Sequence, residues 1–97
     1  MFVGVVAFDL HIPHVRSLKA KRAVVRPLIE AIRNRYHCSV AEVDHHDLWQ
    51  RAEIGVAVVS ATYSHGGEVL DDIERFVWAN PEIEVSSAKR SWLDDVD

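Results

Sequence analysis

The sequence predicts an α+β fold in which four strands and two helices follow one another in the order βαββαβ. Apolar and other residues alternate along residues 2–12, as in a half-buried strand. Apolar residues recur at helical spacing in two later segments, which end near Arg35 and Ala79. Right-handed crossovers in this order give a four-stranded antiparallel sheet with both helices on one face, the ferredoxin-like arrangement. We expect one domain over residues 1–97.

The first strand and the first helix have clear local signals. The strand covers residues 2–12 and ends before Pro13, with its even-numbered residues on one face. Ser17 is a suitable N-cap for a helix that runs to about Arg35. Pro27 removes one hydrogen bond inside this helix, so we expect a kink there. The predicted core stripe of the helix comprises Leu18, Val25, Leu28, Ile29, Ile32 and Tyr36.

The remaining elements are shorter. A second strand is expected at residues 38–44, a connection at 45–50 and a third strand at 51–61. Ser64 is expected to cap a second helix over residues 66–79, which Asn80 and Pro81 end. A last strand is expected at residues 82–92, followed by an acidic tail at 94–97.

Positive charge is concentrated in the first helix and the loop before it. Residues 14–36 contain seven of the eleven Lys and Arg residues and a single acid, Glu30. The whole chain carries a net charge of −4. Such asymmetry indicates a local site for an anionic partner rather than a requirement of the fold. Cations near a helix N-terminus oppose the helix dipole, which suggests that they serve another purpose.

The predicted topology brings this basic segment close to the connection between strands two and three. Both lie at the same end of the sheet, so we predict one anion- or RNA-binding surface there. Its predicted residues are Arg16, Ser17, Lys19, Lys21, Arg22, Arg26, Trp49, Gln50 and Arg51. Lys21 falls within the apolar stripe, so the alternative is that it lies along the core while the other bases form a solvated face.

The same connection contains residue types that bind metals. The weak candidates for metal ligands are His11, Asp44, His45, His46 and Asp47. No H-E-x-x-H motif or cysteine pair accompanies them, so we predict no metal and no cofactor. A metal-dependent or acid–base enzyme that uses residues 44–47 remains the alternative. We identify no catalytic residue.

The sheet face away from the helices is predicted to be apolar and free of aromatic residues. Its central positions are Val3, Val5, Ala7, Gly55, Ala57 and Val59. RNA-recognition domains of this topology stack bases on aromatic residues at such positions, so that mode of binding is disfavoured. A homodimer would cover this face, and folding of residues 89–93 over the sheet is the alternative.

Composition favours a cytoplasmic protein without a membrane span. The chain is 48% hydrophobic and contains no apolar run near the ~20 residues that span a bilayer. Its single cysteine, Cys38, cannot form an internal disulfide, which fits a reducing compartment. No basic segment precedes the apolar residues 2–8, so we expect no signal peptide.

Several segments resemble a known family. The S-L-K-A-K-R segment that begins at Ser17 and the D-L-W-Q-R segment that begins at Asp47 are similar to those of the bacterial YlxP-like family. That family is a small domain of unknown function, and the similarity covers essentially the whole chain. It implies a ferredoxin-like fold, and its members tend to be encoded among translation and ribosome-maturation genes. Pro27 and His46 depart from its usual pattern.

These observations favour a non-enzymatic binding protein for RNA or a ribosome-assembly intermediate. Contact would involve the basic first helix and the adjoining connection, with Lys19, Lys21, Arg22 and Arg26 holding phosphates. An acidic second helix would repel nucleic acid and so orient the protein. A regulatory module for a protein partner or a small ligand is a further alternative, because fold alone does not decide function.

Overall fold

The computed structural model describes residues 1–94 and has the predicted βαββαβ order. Its elements are β1 (Phe2–His11), α1 (Leu18–Tyr36), β2 (Ser39–Asp44), β3 (Arg51–Ser60), α2 (Tyr63–Trp78) and β4 (Glu84–Asp94). The strands form one antiparallel sheet in the order β2-β3-β1-β4. The α+β ferredoxin-like fold is therefore confirmed.

Alternation along the two central strands separates the core from the opposite face of the sheet. Phe8 on β1 pairs with Ile54 on β3, and both are fully buried. Val6 and Val56 form the next buried pair on the same face. Burying these side chains against both helices contributes about 1.5–3 kcal/mol for each. The opposite face of the sheet is covered by neither helix.

Helix α1 begins and ends with well-formed caps. The Ser17 hydroxyl oxygen accepts a hydrogen bond from the Ala20 amide at 3.0 Å, which confirms Ser17 as the N-cap. The helix ends at Tyr36, and its C-cap residue, His37, adopts a left-handed conformation with φ 51°. Pro27 lies inside the continuous helix and faces solvent, while the kink expected there remains a prediction.

The predicted core stripe of α1 is partly confirmed. Val25, Leu28 and Ile32 are buried, whereas Leu18, Ile29 and Tyr36 are only half-buried. Val24 and Lys21 are also buried. The buried stripe therefore includes one charged side chain, whose environment is described below.

Helix α2 starts earlier than the sequence suggested. Thr62, rather than Ser64, is its N-cap, and the Thr62 hydroxyl oxygen accepts a hydrogen bond from the His65 amide at 3.2 Å. Ser60 fixes this position because its hydroxyl donates to the Thr62 carbonyl at 2.7 Å. The chain thus turns directly from β3 into α2.

Strand β4 starts and ends two residues later than expected. Its start follows a turn in which the Glu82 amide donates to the Asn80 side-chain oxygen at 2.9 Å. Asp94, the first residue of the predicted acidic tail, belongs to β4, and residues 95–97 lie outside the described part. Residues 89–93 lie within β4, so the suggestion that they fold over the open sheet face is wrong.

Candidate anion-binding surface

Four exposed cations follow one another along the start of α1. We call Arg16, Lys19, Arg22 and Arg26 the basic row. At 3.6 residues per turn, its three helical members lie within about 60° of one another and span about 10 Å along the axis. They protrude from the helical layer, on the opposite side of the sheet from its uncovered face. The basic row therefore forms a compact positive surface.

Most other cations are neutralised within the molecule. Ion pairs join Lys21 to Glu42, Arg33 to Glu30, Arg51 to Asp9, Arg75 to Asp72, and Arg90 to both Asp71 and Glu74. Arg35 lies over the rings of Tyr36 and Phe76. Among the described residues, only the basic row and Lys89 lack such a contact. Unpaired positive charge is thus concentrated at one site.

Lys21 does not belong to this surface. Its side chain is only 2% exposed, and its Nζ lies 2.8 Å from a carboxylate oxygen of Glu42. Nζ also donates to the carbonyl of His45 at 2.7 Å. The predicted role of Lys21 in binding an external anion is therefore corrected: this ammonium ties α1 to β2 and to the turn after it.

Regular alternation along β2 makes this link possible. Glu42 pairs with the buried Ile54 and shares the helix-facing side of the sheet with Val40, while Val43 lies beside Gly55 on the uncovered side. The register shifts only after Glu42, between it and Asp44. The turn continues through His45, whose φ is 64° and whose amide is bound by the Asp44 carboxylate at 2.7 Å. The Lys21 contact with the His45 carbonyl holds this turn against the helix.

Gln50 is also occupied by a structural contact. Its side-chain amide donates to the carbonyls of Pro13, at 3.3 Å, and Val15, at 3.0 Å. The main chain adds a bond from the Ile12 amide to the Gln50 carbonyl at 2.9 Å. Gln50 thus joins the loop before α1 to the β2–β3 connection; its side chain is exposed there, and its predicted contact with RNA remains a prediction.

Arg51 lies on the other face of the sheet. Its guanidinium donates two hydrogen bonds to the Asp9 carboxylate, of 3.1 and 2.8 Å. These bonds hold the pKa of Asp9 below its usual value. Because Arg51 is paired and faces away from α1, it does not extend the basic row, contrary to the sequence prediction.

Of the other predicted residues, Ser17 caps α1 and Trp49 is exposed. The Ser17 hydroxyl oxygen accepts the capping hydrogen bond from the Ala20 amide, so the side chain of Ser17 has a structural role. Trp49 is 51% exposed in the β2–β3 connection, at the same end of the sheet as the start of α1. Its ring can present an apolar face to a ligand.

A cleft of about 420 Å³ runs between α1 and the β2–β3 connection. Arg22 and Arg26 line it on the helical side, and His46 lines it on the loop side. The Lys21–Glu42 pair forms part of its wall. Two members of the basic row therefore flank a concave surface.

The metal-ligand candidates do not converge. His11 faces Glu84 on β4 at 3.2 Å, and His46 faces the carbonyl of Glu42 at 3.1 Å. Within residues 1–94, no group of three or more His, Cys, Asp or Glu side chains is arranged to hold a metal ion. The side chains concerned are those of His11, Asp44, His45, His46 and Asp47.

Cys38 does not have the character of a nucleophile. Burial raises the pKa of its thiol, which outweighs the opposing effect of the Arg33 charge. The thiol points toward the Ile32 carbonyl, with Sγ 3.8 Å from the oxygen. A protonated, half-buried thiol of this kind is a packing group.

The acids of α2 are less available than the sequence suggested. Arg90 from β4 pairs with both Asp71 and Glu74, and Arg75 pairs with Asp72. Among the four acids of this helix, only Glu68 lacks a partner within residues 1–94. The predicted repulsion of nucleic acid by α2 is correspondingly weakened.

The fold and the surface together define a small ferredoxin-like α+β domain with an unneutralised basic row on its first helix. Residues 3–90 match the family described as "Protein of unknown function (DUF503)", and the chain belongs to that family. It is also 32% identical over 77 residues to "Uncharacterized protein YlxP" of Bacillus subtilis (strain 168). That match covers 79% of this chain and 84% of the relative. No helix within residues 1–94 is long and apolar enough to cross a membrane.

Proposed function

We propose that this protein is a non-enzymatic RNA-binding protein whose basic row contacts the phosphate backbone. The supporting observation is the distribution of unpaired cations: four of the five that lack an intramolecular partner within residues 1–94 lie at the start of α1. Ion pairs neutralise five of the other seven cations. An RNA strand would supply the missing negative charge.

Contacts of this kind position an RNA without reading its sequence. The two arginines beside the cleft suit bidentate contacts with phosphate, while Lys19 adds a point charge. Trp49 would contribute stacking on an unpaired base. The target class that we propose is structured RNA with accessible single-stranded segments, as in a ribosome-assembly intermediate.

The salt dependence of binding tests this proposal. If the four members of the basic row each neutralise one phosphate, log affinity should fall with log salt with a slope of about −3 on single-stranded RNA. Replacing Lys19, Arg22 and Arg26 by Ala should reduce the slope to about −1, because one cation remains. Filter binding with ribosomal RNA fragments at several salt concentrations measures both values.

A matched control removes the same charge elsewhere. The triple variant R33A/R35A/R75A has the same net charge as K19A/R22A/R26A but retains the basic row. It should keep most of the parent slope, and circular dichroism should show that both triple variants are folded. Equal loss of binding in the two variants, or binding that salt does not weaken, would contradict the proposal.

We further propose that the chain forms a homodimer through the uncovered face of the sheet. This open face contains exposed Val59, Leu93 and Val43, which are 68%, 57% and 51% exposed. An apolar surface of this kind favours association over exposure to water. Light scattering at high micromolar concentration should give twice the monomer mass, and Val59→Glu should restore the monomer mass. A monomeric parent protein would refute the dimer.

A further inference from the structure

The cleft beside α1 has two rims of opposite charge. Its helical rim carries Arg22 and Arg26, which are about one helical turn, or about 6 Å, apart along the axis. Its loop rim carries His46 and Asp47. Within residues 1–94, neither arginine forms an ion pair with Asp47 or with any other acid. Both charges therefore remain available to a ligand that lies between the rims.

The free carboxylate decides how a ligand can lie in the cleft. Glu42 also lines the cleft, but the ammonium of Lys21 neutralises it at 2.8 Å. The Asp47 side chain has neither a hydrogen bond nor an ion pair in the described part of the chain. An ionised carboxylate only accepts hydrogen bonds, and it repels phosphate. A phosphorylated ligand must therefore place its phosphate at α1 and its hydrogen-bond donors at Asp47.

The floor of the cleft is apolar. Leu18, Val25 and Ile29 line it, and the helical angle places Leu18 and Ile29 between Arg22 and the buried side of α1. Leu18 and Ile29 are only half-buried, so part of each is accessible to a ligand. The volume of about 420 Å³ is near the lower end of the range for small-molecule sites, about 300–1,000 Å³. An apolar floor between a cationic rim and an acceptor suits the flat base of one nucleotide.

The chemistry of the carboxylate distinguishes the bases. Its two oxygens can accept two parallel hydrogen bonds. Guanine presents two adjacent donors on its Watson–Crick edge, N1–H and the N2 amino group, whereas adenine and cytosine present an amino group beside a ring nitrogen that accepts. Uracil presents one donor between two carbonyls. We infer that the cleft binds one unpaired guanine nucleotide, with its phosphate at Arg22 and Arg26 and its base edge at Asp47.

This inference rests on the proposed RNA binding and adds a base preference to it. The test uses short single-stranded uridine oligomers that carry one central guanosine, one central adenosine or neither. Fluorescence anisotropy at constant salt measures their affinities for the parent protein. The oligomer with guanosine should bind at least about fivefold more tightly than the other two, because a bidentate contact with a base edge is lost in both of them.

Two charge-matched variants show whether Asp47 reads the base. Asp47→Asn replaces one acceptor by a donor, which matches the amino group and ring nitrogen of adenine, so the adenosine oligomer should now bind more tightly than the guanosine oligomer. Glu68→Gln removes the same charge from α2, outside the cleft, and should keep the preference for guanosine. Equal affinities of the parent for the guanosine and adenosine oligomers would overturn the guanine site, and so would a guanosine preference that Asp47→Asn leaves intact. In either case the salt dependence of binding still tests the basic row separately.

A titration with guanosine monophosphate distinguishes free nucleotide from RNA as the source of the guanine. The backbone amide NMR signals of Arg22 and His46 should shift with guanosine monophosphate more than with uridine monophosphate, and Asp47→Asn should remove this difference. If the signals shift but no RNA oligomer binds, the guanine site stands and the proposed RNA function fails. If neither the nucleotide nor the oligomers bind, the site is overturned as well.

Discussion

Replacing Lys21 by Met should lower the free energy of unfolding by about 3 kcal/mol. The substitution leaves the Glu42 carboxylate without its ammonium partner, in a site where only 19% of the Glu42 side chain is exposed. It also removes the hydrogen bond to the His45 carbonyl. A buried ion pair is weak evidence of net stabilisation, but loss of one partner is costly because the remaining charge stays desolvated.

Urea unfolding monitored by circular dichroism measures this change. Lys19→Met is the matched control, since Lys19 is an exposed lysine two positions away and its loss should cost less than about 0.5 kcal/mol. Adding Glu42→Leu to Lys21→Met should recover at least about 1 kcal/mol, because the uncompensated charge is removed. Equal midpoints for the two lysine variants would show that the buried pair does not hold α1 to β2.

The ends and faces of the first strand could be predicted from the sequence because they depend on local patterning. Alternation alone placed Val6 and Phe8 in the core, and Pro13 marked the end of the strand. Ser17 was similarly predictable, since a good cap precedes a long amphipathic segment. These features depend on residues close together in the chain.

The start of α2 was mispredicted because two nearby residues are both acceptable caps. Thr62 and Ser64 have hydroxyl groups of similar capping ability. The choice depends on Ser60, whose contacts with Thr62 turn the chain at the end of β3. The choice between the two caps therefore depends on where β3 ends.

The location of the candidate surface was predicted from the sequence, but not which residues belong to it. The angle of Lys21 within the apolar stripe signalled burial, whereas its pairing with Glu42 depends on how α1 packs against β2, which sequence patterning does not reveal. Arg51 could have been placed correctly, because it shares the odd-numbered face of β3 with Gly55. The prediction placed Arg51 with the basic residues of α1 because both lie at the same end of the sheet, although they lie on opposite faces of it.

Gln50 illustrates a role that no residue pattern indicates. Its hydrogen bonds to the carbonyls of Pro13 and Val15 span a sequence separation of more than thirty residues. The role of Gln50 becomes apparent only when the two loops are seen to meet, since a glutamine side chain can form hydrogen bonds with water, with RNA or with a backbone carbonyl. Such contacts emerge from the assembled fold.

Trp92 should be the tryptophan that matters most for stability. Its ring lies against Tyr63, with centroids 4.4 Å apart. A β-carbon built on Gly4 would lie 2.9 Å from the Trp92 ring, and one built on Gly66 would lie 3.2 Å from it. The indole therefore fills the space where β1, α2 and β4 meet, and the two glycines allow its close approach.

Trp92→Ala should lower the free energy of unfolding by about 3 kcal/mol, because it leaves a cavity beside Gly4 and Gly66. For a domain of this size the loss corresponds to a fall of about 15 °C in Tm. Trp78→Ala is the matched control: Trp78 is 62% exposed at the end of α2, and its truncation should cost less than about 0.5 kcal/mol. Thermal unfolding followed by far-ultraviolet circular dichroism compares the two variants, and similar Tm values would mean that Trp92 does not link the edge strand to the core.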